Sequence, residues 1–528
     1  MGRNKNIIKS SIDSKISEAK PDIATGKFIS IIQPVIWAVL GITAVLMVLN
    51  STSRYGVGMS PDAVNYISTA KHLLEGKGYT DYLGEPYVHW GPLLPSLLAL
   101  IGLAGIEPFV AVRFVNALCF GIIVFCSGIL FTKRIKEWPL VLLGVFTVST
   151  SFVLLFVSVY AWTEPLFNIL IILFVLNFAK FLKSGGTRSL ILAGVCSALA
   201  CLQRYVGLTT VIAGNIFILL FMQNFPPLDK LKRSALFSTI ACVPVGIWVI
   251  RNKLVASTLA EFHPDFDISA SAEFTRTLKF ITPWFVPTNI PLWARLVIIG
   301  TFIFLLVTAV ILKRIICGKK QQENAILVKI IALFVLIYVT FTMTASILVN
   351  AEANDRLFSP IYVFLILLIL VGLEAAAELF ALLFKKRWAG YSIAITAYSL
   401  WLAFYIFPGI TRRLALYEEY GAGPNSLNSA KWHQSPLINW LKEHPPKGKI
   451  FSNEPFAIYV ICGFEARLSP RHGDMENFKR QMSSEQPNYL VWFNKHWRKY
   501  LYNLEELNSQ FKLIPLETLP DGAVFIME

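Results

Sequence analysis

Long apolar segments, separated by short polar or basic stretches, make up most of the first 410 residues. Most of these segments approach the roughly 20 apolar residues that a helix needs to cross the hydrocarbon core of a bilayer. The pattern predicts eleven spanning helices, at residues 30–49, 107–131, 139–158, 162–182, 188–203, 205–222, 234–251, 295–313, 326–349, 358–381 and 388–408. The 188–222 stretch is short for two crossings, so we expect this helical hairpin not to reach fully across.

A polar stretch, residues 60–92, lies between the first two apolar segments and is bounded by proline and glycine. Its ionisable residues include Asp62, Glu75, Asp81, Glu85 and His89. Such a stretch cannot face lipid, because each unpaired backbone polar group costs several kcal/mol there. We therefore expect it to lie in water or to line a wet cavity.

Residues 411–528 follow a different pattern, in which short strand-like runs alternate with helix-like runs. The predicted strands are residues 449–453, 488–493, 511–517 and 523–528, and the predicted helices are residues 435–444, 475–482 and 496–511. This alternation is typical of a small α/β domain.

The composition of the 528-residue chain agrees with a polytopic membrane protein, since 55% of its residues are hydrophobic and only 15% are charged. Soluble domains average about 25% charged residues. The net charge of +15 does not require a nucleic-acid partner, because membrane proteins concentrate Lys and Arg in cytoplasmic loops. The seven cysteines form no CxxC or Cys/His pattern, so we expect no metal site among them.

The Lys and Arg residues predict the orientation in the membrane. With the N-terminus in the cytoplasm, the inner loops carry the basic clusters at residues 133–136, 180–188, 230–233, 313–320 and 385–387. The predicted organisation is a cytoplasmic basic tail (1–27), a transmembrane domain (28–410) whose first outer loop spans 50–106, and an extracytoplasmic domain (411–528). Residues 28–49 are expected to act as an uncleaved signal anchor.

The predicted fold class is therefore an α-helical polytopic membrane protein with about eleven transmembrane helices and a small C-terminal α/β extracytoplasmic domain. The predicted location is the plasma (inner) membrane, as a multi-pass protein in contact with membrane lipids.

Ionisable residues beside the spanning segments are candidate site residues, and in this topology they converge at the outer ends of the helices. Carboxylates and planar guanidinium groups at one lip suit an anionic ligand and an acid–base step. The candidates are Asp62, Glu164, Arg204, Arg251, Asp355 and Arg356.

The two acids nearest this lip also have purely structural interpretations. Asp62 follows Ser60 and Pro61, a good N-cap and first-turn pair, so it could simply favour the dipole of a helix. Glu164 could pair with Arg204 as a bridge between helices.

The remaining candidates have structural alternatives too. Arg251 and Arg356 could extend to the membrane interface while their aliphatic stems stay in lipid. His89 stands beside Trp90, a pair that is more typical of an interfacial belt than of catalysis. Tyr205 likewise fits a packing residue as well as a ligand contact.

Six short motifs in the transmembrane domain give the chain a resemblance to a known superfamily. In order they are PDAVNYISTAKHLLEGKGY (61–79), HWGPLLPSLLAL (89–100), TEPLFNIL (163–170), QRYVGL (203–208), WVIRN (248–252) and DRLFSPIY (355–362). Their order and spacing resemble the C-type membrane glycosyltransferases. The similarity is greatest to the group that contains dolichyl-phosphate-mannose protein mannosyltransferases and the lipid A aminoarabinose transferase. Many of those relatives have Asp-Glu in the first loop, whereas Ala63 follows Asp62 here.

The resemblance implies an inverting transfer of a sugar from a polyprenyl-phosphate donor to a glycan, lipid or protein acceptor on the outer side. Asp62 would be the general base. Arg204, Arg251 and Arg356 would hold the donor phosphate, and Glu164 would orient an arginine or a sugar hydroxyl. The remaining donor-binding candidates are His89, Tyr205 and Asp355.

Other functions stay open at this stage. A transporter or flippase for lipid-linked saccharides would show inverted repeats and broken helices, and the sequence contains no detectable repeat of 20–50 residues. A non-catalytic envelope-assembly subunit would tolerate replacement of Asp62. No resident cofactor is expected, although two acids at such a lip could hold a divalent cation.

Overall fold

The computed structural model describes residues 23–256, 269–317, 325–348, 354–482, 487–494, 498 and 500–528. Most of the predicted basic tail therefore lies outside the described residues. The first nine helices are α1 (Ile23–Ser51), α2 (Pro61–Leu74), α3 (Leu93–Gly102), α4 (Pro108–Thr132), α5 (Trp138–Ser149), α6 (Phe152–Val159), α7 (Glu164–Ser184), α8 (Thr187–Gln203) and α9 (Leu208–Phe221).

The helical part continues to residue 420. Its remaining helices are α10 (Pro227–Ala256), α11 (Ala270–Ile281), α12 (Leu292–Cys317), α13 (Ala325–Leu348), α14 (Asp355–Phe358), α15 (Tyr362–Phe384), α16 (Arg387–Trp401) and α17 (Phe407–Tyr420). A π-helical turn, Leu402–Ile406, joins α16 to α17. The predicted domain boundary at residue 411 thus falls within a helix that ends at Tyr420.

Nine helical segments within the described ranges are long and apolar enough to cross a membrane. The two other predicted spans are α8 and α9, with 17 and 14 residues, which is less than the roughly 20 residues of a full crossing. Among the described residues, nine rather than eleven helical segments are therefore candidates for a full crossing. The hairpin between residues 187 and 221 is short, as expected from its length.

The segment predicted to be the first outer loop, residues 50–106, contains two helices, α2 and α3. Ser60 caps α2 by accepting a hydrogen bond from the backbone N–H of Ala63, and Pro61 occupies the first turn. Both features favour a helix start. Ser60 and Pro61 therefore start a helix as the sequence predicted, and Asp62 lies in its first turn.

The C-terminal region forms a five-stranded mixed sheet in the order β2-β1-β3-β5-β4. β1 runs parallel to β2 and β3, while β5 pairs antiparallel with β3 and β4. The strands are β1 (Lys449–Ser452), β2 (Ala466–Leu468), β3 (Asn488–Phe493), β4 (Leu513–Leu519) and β5 (Gly522–Met527).

Five short helices accompany this sheet. They are α18 (Ala430–His433), α19 (Pro436–Glu443), α20 (Pro455–Cys462), α21 (Met475–Gln481) and α22 (Leu504–Gln510). The sequence pattern missed α18, α20 and the three-residue strand β2. It also made the last helix too long, since α22 begins at residue 504 and not at 496. Residues 496–497 lie outside the described residues.

The C-terminal region packs directly on the segment that precedes α2. The backbone N–H of Met59 donates to Ser426 Oγ at 3.0 Å, and the N–H of Leu427 donates to the carbonyl of Met59 at 2.9 Å. These bonds position the C-terminal region beside the start of α2, where Asp62 lies.

Candidate active site

The site is built where α2 and α7 begin side by side. The N–H of Gly58 donates to the carbonyl of Val159 at 2.8 Å, and the N–H of Ala161 donates to the carbonyl of Gly58 at 2.9 Å. Trp162 Nε1 also donates to the capping hydroxyl of Ser60 at 2.8 Å. Because both chain segments are tied together just before their helices start, the first turns of the two helices face the same space.

Gly58 permits this close pairing. A β-carbon at position 58 would lie 2.8 Å from the β-carbon of Ala422 and 2.9 Å from the ring of Tyr160. Both separations are shorter than normal carbon–carbon contacts, so any side chain would force these segments apart. The position requires glycine for space and not for an unusual backbone angle.

Four charged groups meet at the two helix starts. The guanidinium of Arg356 contacts Asp62 and lies 3.5 Å (Nε) from Glu164 Oε1. Arg204 contacts Glu164 and donates from Nη1 to Thr163 Oγ1 at 2.7 Å. The two acids occupy the first turns of α2 and α7, where the helix dipole favours negative charge. The cluster is neutral, which reduces the cost of holding it in a partly desolvated place.

A cavity of about 240 Å³ opens beside this cluster. The Asp62 side chain keeps 24% of its surface exposed, whereas the Glu164 side chain keeps 1%. Glu164 is buried behind the two arginines and contacts both. The lining residues are Asp62, Tyr66, His89, Trp90, Gly91, Gln203, Arg204, Tyr205, Val206 and Arg356. The sequence-predicted candidates Asp62, Arg204, Arg356, His89 and Tyr205 are therefore brought together.

Tyr66 is a further cavity residue that was not among the sequence-predicted candidates. It lies one helical turn after Asp62 and shares its face of α2, a spacing that could have identified it. Its ring is buried and meets Trp90 edge-on at a centroid distance of 6.2 Å. Burial, aided by the nearby charge of Asp62, raises the pKa of Tyr66 well above its usual range. The hydroxyl therefore stays protonated and can donate a hydrogen bond into the cavity.

Arg251 does not line the cavity. It donates from Nη1 to the carbonyl of Tyr87 at 2.7 Å and from Nη2 to the carbonyl of Tyr79 at 3.1 Å. The neighbouring Asn252 donates from Nδ2 to the carbonyl of Val88 at 3.1 Å. Arg251 therefore does not simply extend to the membrane interface, because its guanidinium binds the backbone of the polar loop.

The loop residues 88–91 are held against the turn after α8. The Tyr205 hydroxyl donates to the carbonyl of Val88 at 3.1 Å and accepts from Trp248 Nε1 at 3.2 Å. A β-carbon on Gly91 would overlap the carbonyl oxygen of Leu202. Tyr205 therefore lines the cavity, while its hydroxyl is used in hydrogen bonds that hold the loop.

Two further candidates differ in position. His89 lines the cavity, with its ring edge-on to Trp90 at a centroid distance of 5.5 Å. Asp355 is half-buried beside Arg356 in the chain but is not part of the lining. Although Asp355 and Arg356 are adjacent in the chain, only Arg356 of the two lines the cavity.

The C-terminal region also contacts the polar loop. The Tyr82 hydroxyl donates to the carbonyl of Ala466 in β2 at 3.2 Å, and its ring packs on Phe456 at 5.0 Å. Arg467 Nη1 lies 2.8 Å from Glu85 Oε1. The loop is therefore fixed between the membrane helices and the sheet.

Within the described ranges, no group of three or more His, Cys, Asp or Glu side chains is placed to hold a metal ion. Asp62 and Glu164, the two acids considered for a divalent cation, both contact arginines.

A scan against protein-family models finds no match, and a search of curated proteins finds none either. Solved structures do match. The apo structure of ArnT from Cupriavidus metallidurans covers 96% of this chain and 98% of its own length, at 10% identity and a TM-score of 0.59. The same protein bound to undecaprenyl phosphate gives coverages of 93% and 97%, 10% identity and a TM-score of 0.57.

A second protein shows the same architecture. The oligosaccharyltransferase AglB from Archaeoglobus fulgidus, in complex with an inhibitory peptide and a dolichol-phosphate, covers 87% of this chain and 69% of its own. The identity is 12% and the TM-score is 0.52. At these identities the likeness concerns the fold, and it extends over most of the chain. The multi-pass chain therefore resembles ArnT and AglB in fold over most of its length.

Proposed function

We propose that the protein is a membrane glycosyltransferase that moves a sugar from a polyprenyl-phosphate donor to an acceptor on the extracytoplasmic side. The observation that carries the proposal is the 240 Å³ cavity in which Asp62 faces the guanidinium groups of Arg204 and Arg356. Of the proteins with this fold, ArnT was solved with undecaprenyl phosphate and AglB with dolichol-phosphate. The same class of ligand fits the chemistry of this cavity.

The two cavity arginines are suited to the donor phosphate. A guanidinium has five N–H donors, and Arg204 uses Nη1 for both Thr163 and Glu164. Arg356 contacts Asp62 through Nη2, and its Nε is buried facing Glu164. Donors therefore remain for phosphate oxygens, with which guanidinium groups form strong charge-assisted hydrogen bonds. The carboxylates keep both arginines oriented when the donor is absent.

The proposed reaction is a single displacement at the anomeric carbon. An acceptor hydroxyl oxygen forms the new glycosidic bond, and its proton passes to the carboxylate of Asp62. The bond between the anomeric carbon and the phosphate oxygen breaks, and its electron pair leaves with the polyprenyl phosphate. Arg204 and Arg356 stabilise the negative charge that develops on this leaving group. An amine acceptor would follow the same course.

Other residues have supporting roles in this proposal. Tyr66 donates a hydrogen bond to the sugar or phosphate, and His89 and the ring of Tyr205 contact the donor. Glu164 holds Arg204 and Arg356 in position. Arg251 acts through the loop that it anchors, and so affects the donor indirectly.

The decisive experiment is the Asp62→Asn variant. Asparagine keeps the size and hydrogen-bonding ability of the side chain but cannot accept a proton, so sugar transfer should fall by at least about a hundredfold. Donor binding should persist because both arginines remain. Transfer is measured with purified protein and a polyprenyl-phosphate sugar, and binding is measured separately by titration.

Asp229→Asn is the matched control, since Asp229 is also in the first turn of a helix, α10, but does not line the cavity. Loss of a first-turn acid costs about 0.3–1 kcal/mol through the helix dipole in both variants. Asp62→Asn also leaves Arg356 with Glu164 as its remaining acidic partner, so it should lower the melting temperature more than Asp229→Asn does. Near-normal transfer by Asp62→Asn would show that Asp62 only caps its helix. Movement of intact lipid-linked sugar without transfer would favour the flippase.

A further inference from the structure

A second cavity lies at the opposite end of α4 from the candidate active site. Near the beginning of this helix, Asn116 Nδ2 donates to the carbonyl of Tyr160 beside the active site at 2.6 Å. Thr132 is about four and a half turns further along, about 24 Å at 1.5 Å per residue. There a cavity of about 360 Å³ is lined by Gln33, Thr132, Lys133, Arg134, Ile135, Lys136, Trp138 and Val141.

The turn at residues 133–136, called the basic turn, is held in place by a buried acid on a neighbouring helix. Glu374 on α15 is fully buried and accepts two hydrogen bonds from the turn. Arg134 Nη1 donates to Oε2 at 2.9 Å, and the backbone N–H of Lys136 donates to Oε1 at 2.7 Å. The sequence pattern assigned residues 133–136 to a basic inner loop but did not predict this buried pair. The turn is therefore preorganised and does not need a ligand to order it.

Two positive charges remain for a ligand. Glu374 compensates Arg134, whereas Lys133 and Lys136 are exposed at the rim. The nearest acid in sequence, Glu137, lies 2.8 Å from Arg387 Nη2 and is not part of the lining. The cavity thus has an excess positive charge that no acid in its lining neutralises.

The opposite wall of the cavity is apolar. Trp138 packs against Trp37 with a centroid distance of 5.4 Å, and Val141 is buried behind it. Trp138 begins a membrane-spanning segment and Thr132 ends another, so the cavity lies at the level where a bilayer meets water. Ammonium groups beside an apolar wall at this level suit a phosphate group that is attached to acyl chains.

We propose that this second cavity binds a phosphate group, supplied by an anionic membrane phospholipid, at the face of the membrane opposite the candidate active site. A free phosphate ion and a phospholipid headgroup would both be recognised by Lys133 and Lys136. Only the phospholipid would also contact the apolar wall through its acyl chains. This site is independent of the proposed glycosyl transfer.

The test is a native mass spectrometry titration of the full-length protein in detergent with dioctanoyl-phosphatidylglycerol and dioctanoyl-phosphatidylcholine. The parent should bind the anionic lipid more tightly. A lysine near the membrane surface contributes about a fivefold factor, so Lys133→Gln with Lys136→Gln should weaken phosphatidylglycerol binding about thirtyfold. Phosphatidylcholine binding should change much less.

The matched control is Lys180→Gln with Lys183→Gln, two exposed lysines with the same spacing that do not line the cavity. This control should retain parental binding. Inorganic phosphate at millimolar concentration is the second arm. Failure to displace the lipid supports a lipid site, and full displacement supports a site for free phosphate. Equal phosphatidylglycerol binding by the parent and the Lys133/Lys136 variant, with both proteins folded, would overturn the proposal.

Discussion

At the scale of single residues, Asp81 illustrates how the polar loop keeps its shape. Its Oδ1 accepts hydrogen bonds from the backbone N–H groups of Leu83 at 2.9 Å and Glu85 at 3.0 Å. Such a turn is a common role for aspartate. Burial outweighs these bonds and raises the pKa of Asp81 above its ordinary value. The charged form is therefore held in the folded loop at a cost.

We predict that Asp81→Asn stabilises the protein at neutral pH. The raised pKa means that the folded state binds its proton more tightly than the unfolded state, whose carboxyl titrates near about 3.9. Stability from this group is thus present below that pH and is lost as the pH rises through the folded pKa. Asparagine keeps the accepting oxygen without the charge.

The measurement is the melting temperature of both proteins in detergent between pH 3.5 and 7.5, a range of about four units that spans the ordinary aspartate pKa. The advantage of the variant should grow with pH and then level off. An advantage that is the same at every pH would contradict the argument from burial.

At the scale of elements, the end of α10 and the loop between α2 and α3 behave as one unit. Arg251 and Asn252 together hold three loop carbonyls. Hydrogen bonds from charged donors contribute about 1.5–3 kcal/mol each, so the loop depends strongly on Arg251. The arginine of the WVIRN motif contacts loop carbonyls and does not line the cavity, so we propose that it positions the loop instead of contacting the donor phosphate.

We predict that Arg251→Ala loosens residues 79–88 even in the absence of donor. Hydrogen–deuterium exchange of peptides from this loop should accelerate by about tenfold or more, as expected for the loss of bonds of this strength. Arg251→Lys should recover part of the protection, because lysine reaches a carbonyl but lacks the planar fork. Lys253→Ala, at an exposed position on the same helix, is the control. Unchanged exchange in Arg251→Ala would return this residue to a direct role at the donor.

At the scale of the whole molecule, the two ends of the helical bundle have different chemistry. One end carries the neutral acid–arginine cluster, the polar loop and the C-terminal sheet. The other carries basic turns, two of which meet where Glu137 pairs with Arg387. The positive-inside rule assigns the second end to the cytoplasm, and this orientation remains a prediction.

Single cysteines in a cysteine-free background test the orientation. Lys442→Cys on α19 should react with a membrane-impermeant maleimide in intact cells, because the C-terminal region is predicted to be extracytoplasmic. Lys386→Cys should react only after permeabilisation. Both lysines are exposed, so accessibility of the side chain does not limit labelling. The reverse pattern would place the candidate active site in the cytoplasm and contradict the proposed donor orientation.

The sequence by itself determined the properties that depend on local composition. A run of about 20 apolar residues specifies a crossing wherever it occurs, so the long spans could be predicted one at a time. The four predicted strands were found for a similar reason, since alternation is read along the chain. The grouping of Asp62, Glu164, Arg204 and Arg356 also followed from the predicted topology, because alternating crossings bring the start of one helix and the end of another to the same end of the bundle.

Only the tertiary structure decided which group each side chain meets. Asp62 and Arg356 are 294 positions apart, and their contact depends on how α2, α7 and α14 pack. The partners of Arg251 are backbone carbonyls, which every residue has and which no sequence pattern distinguishes. The basic cavity around Lys133 and Lys136 depends on the buried Glu374, 238 positions from Lys136. Helix starts and spans are local choices of the chain, whereas pairings, cavities and the burial that shifts a pKa arise only when distant segments exclude water together.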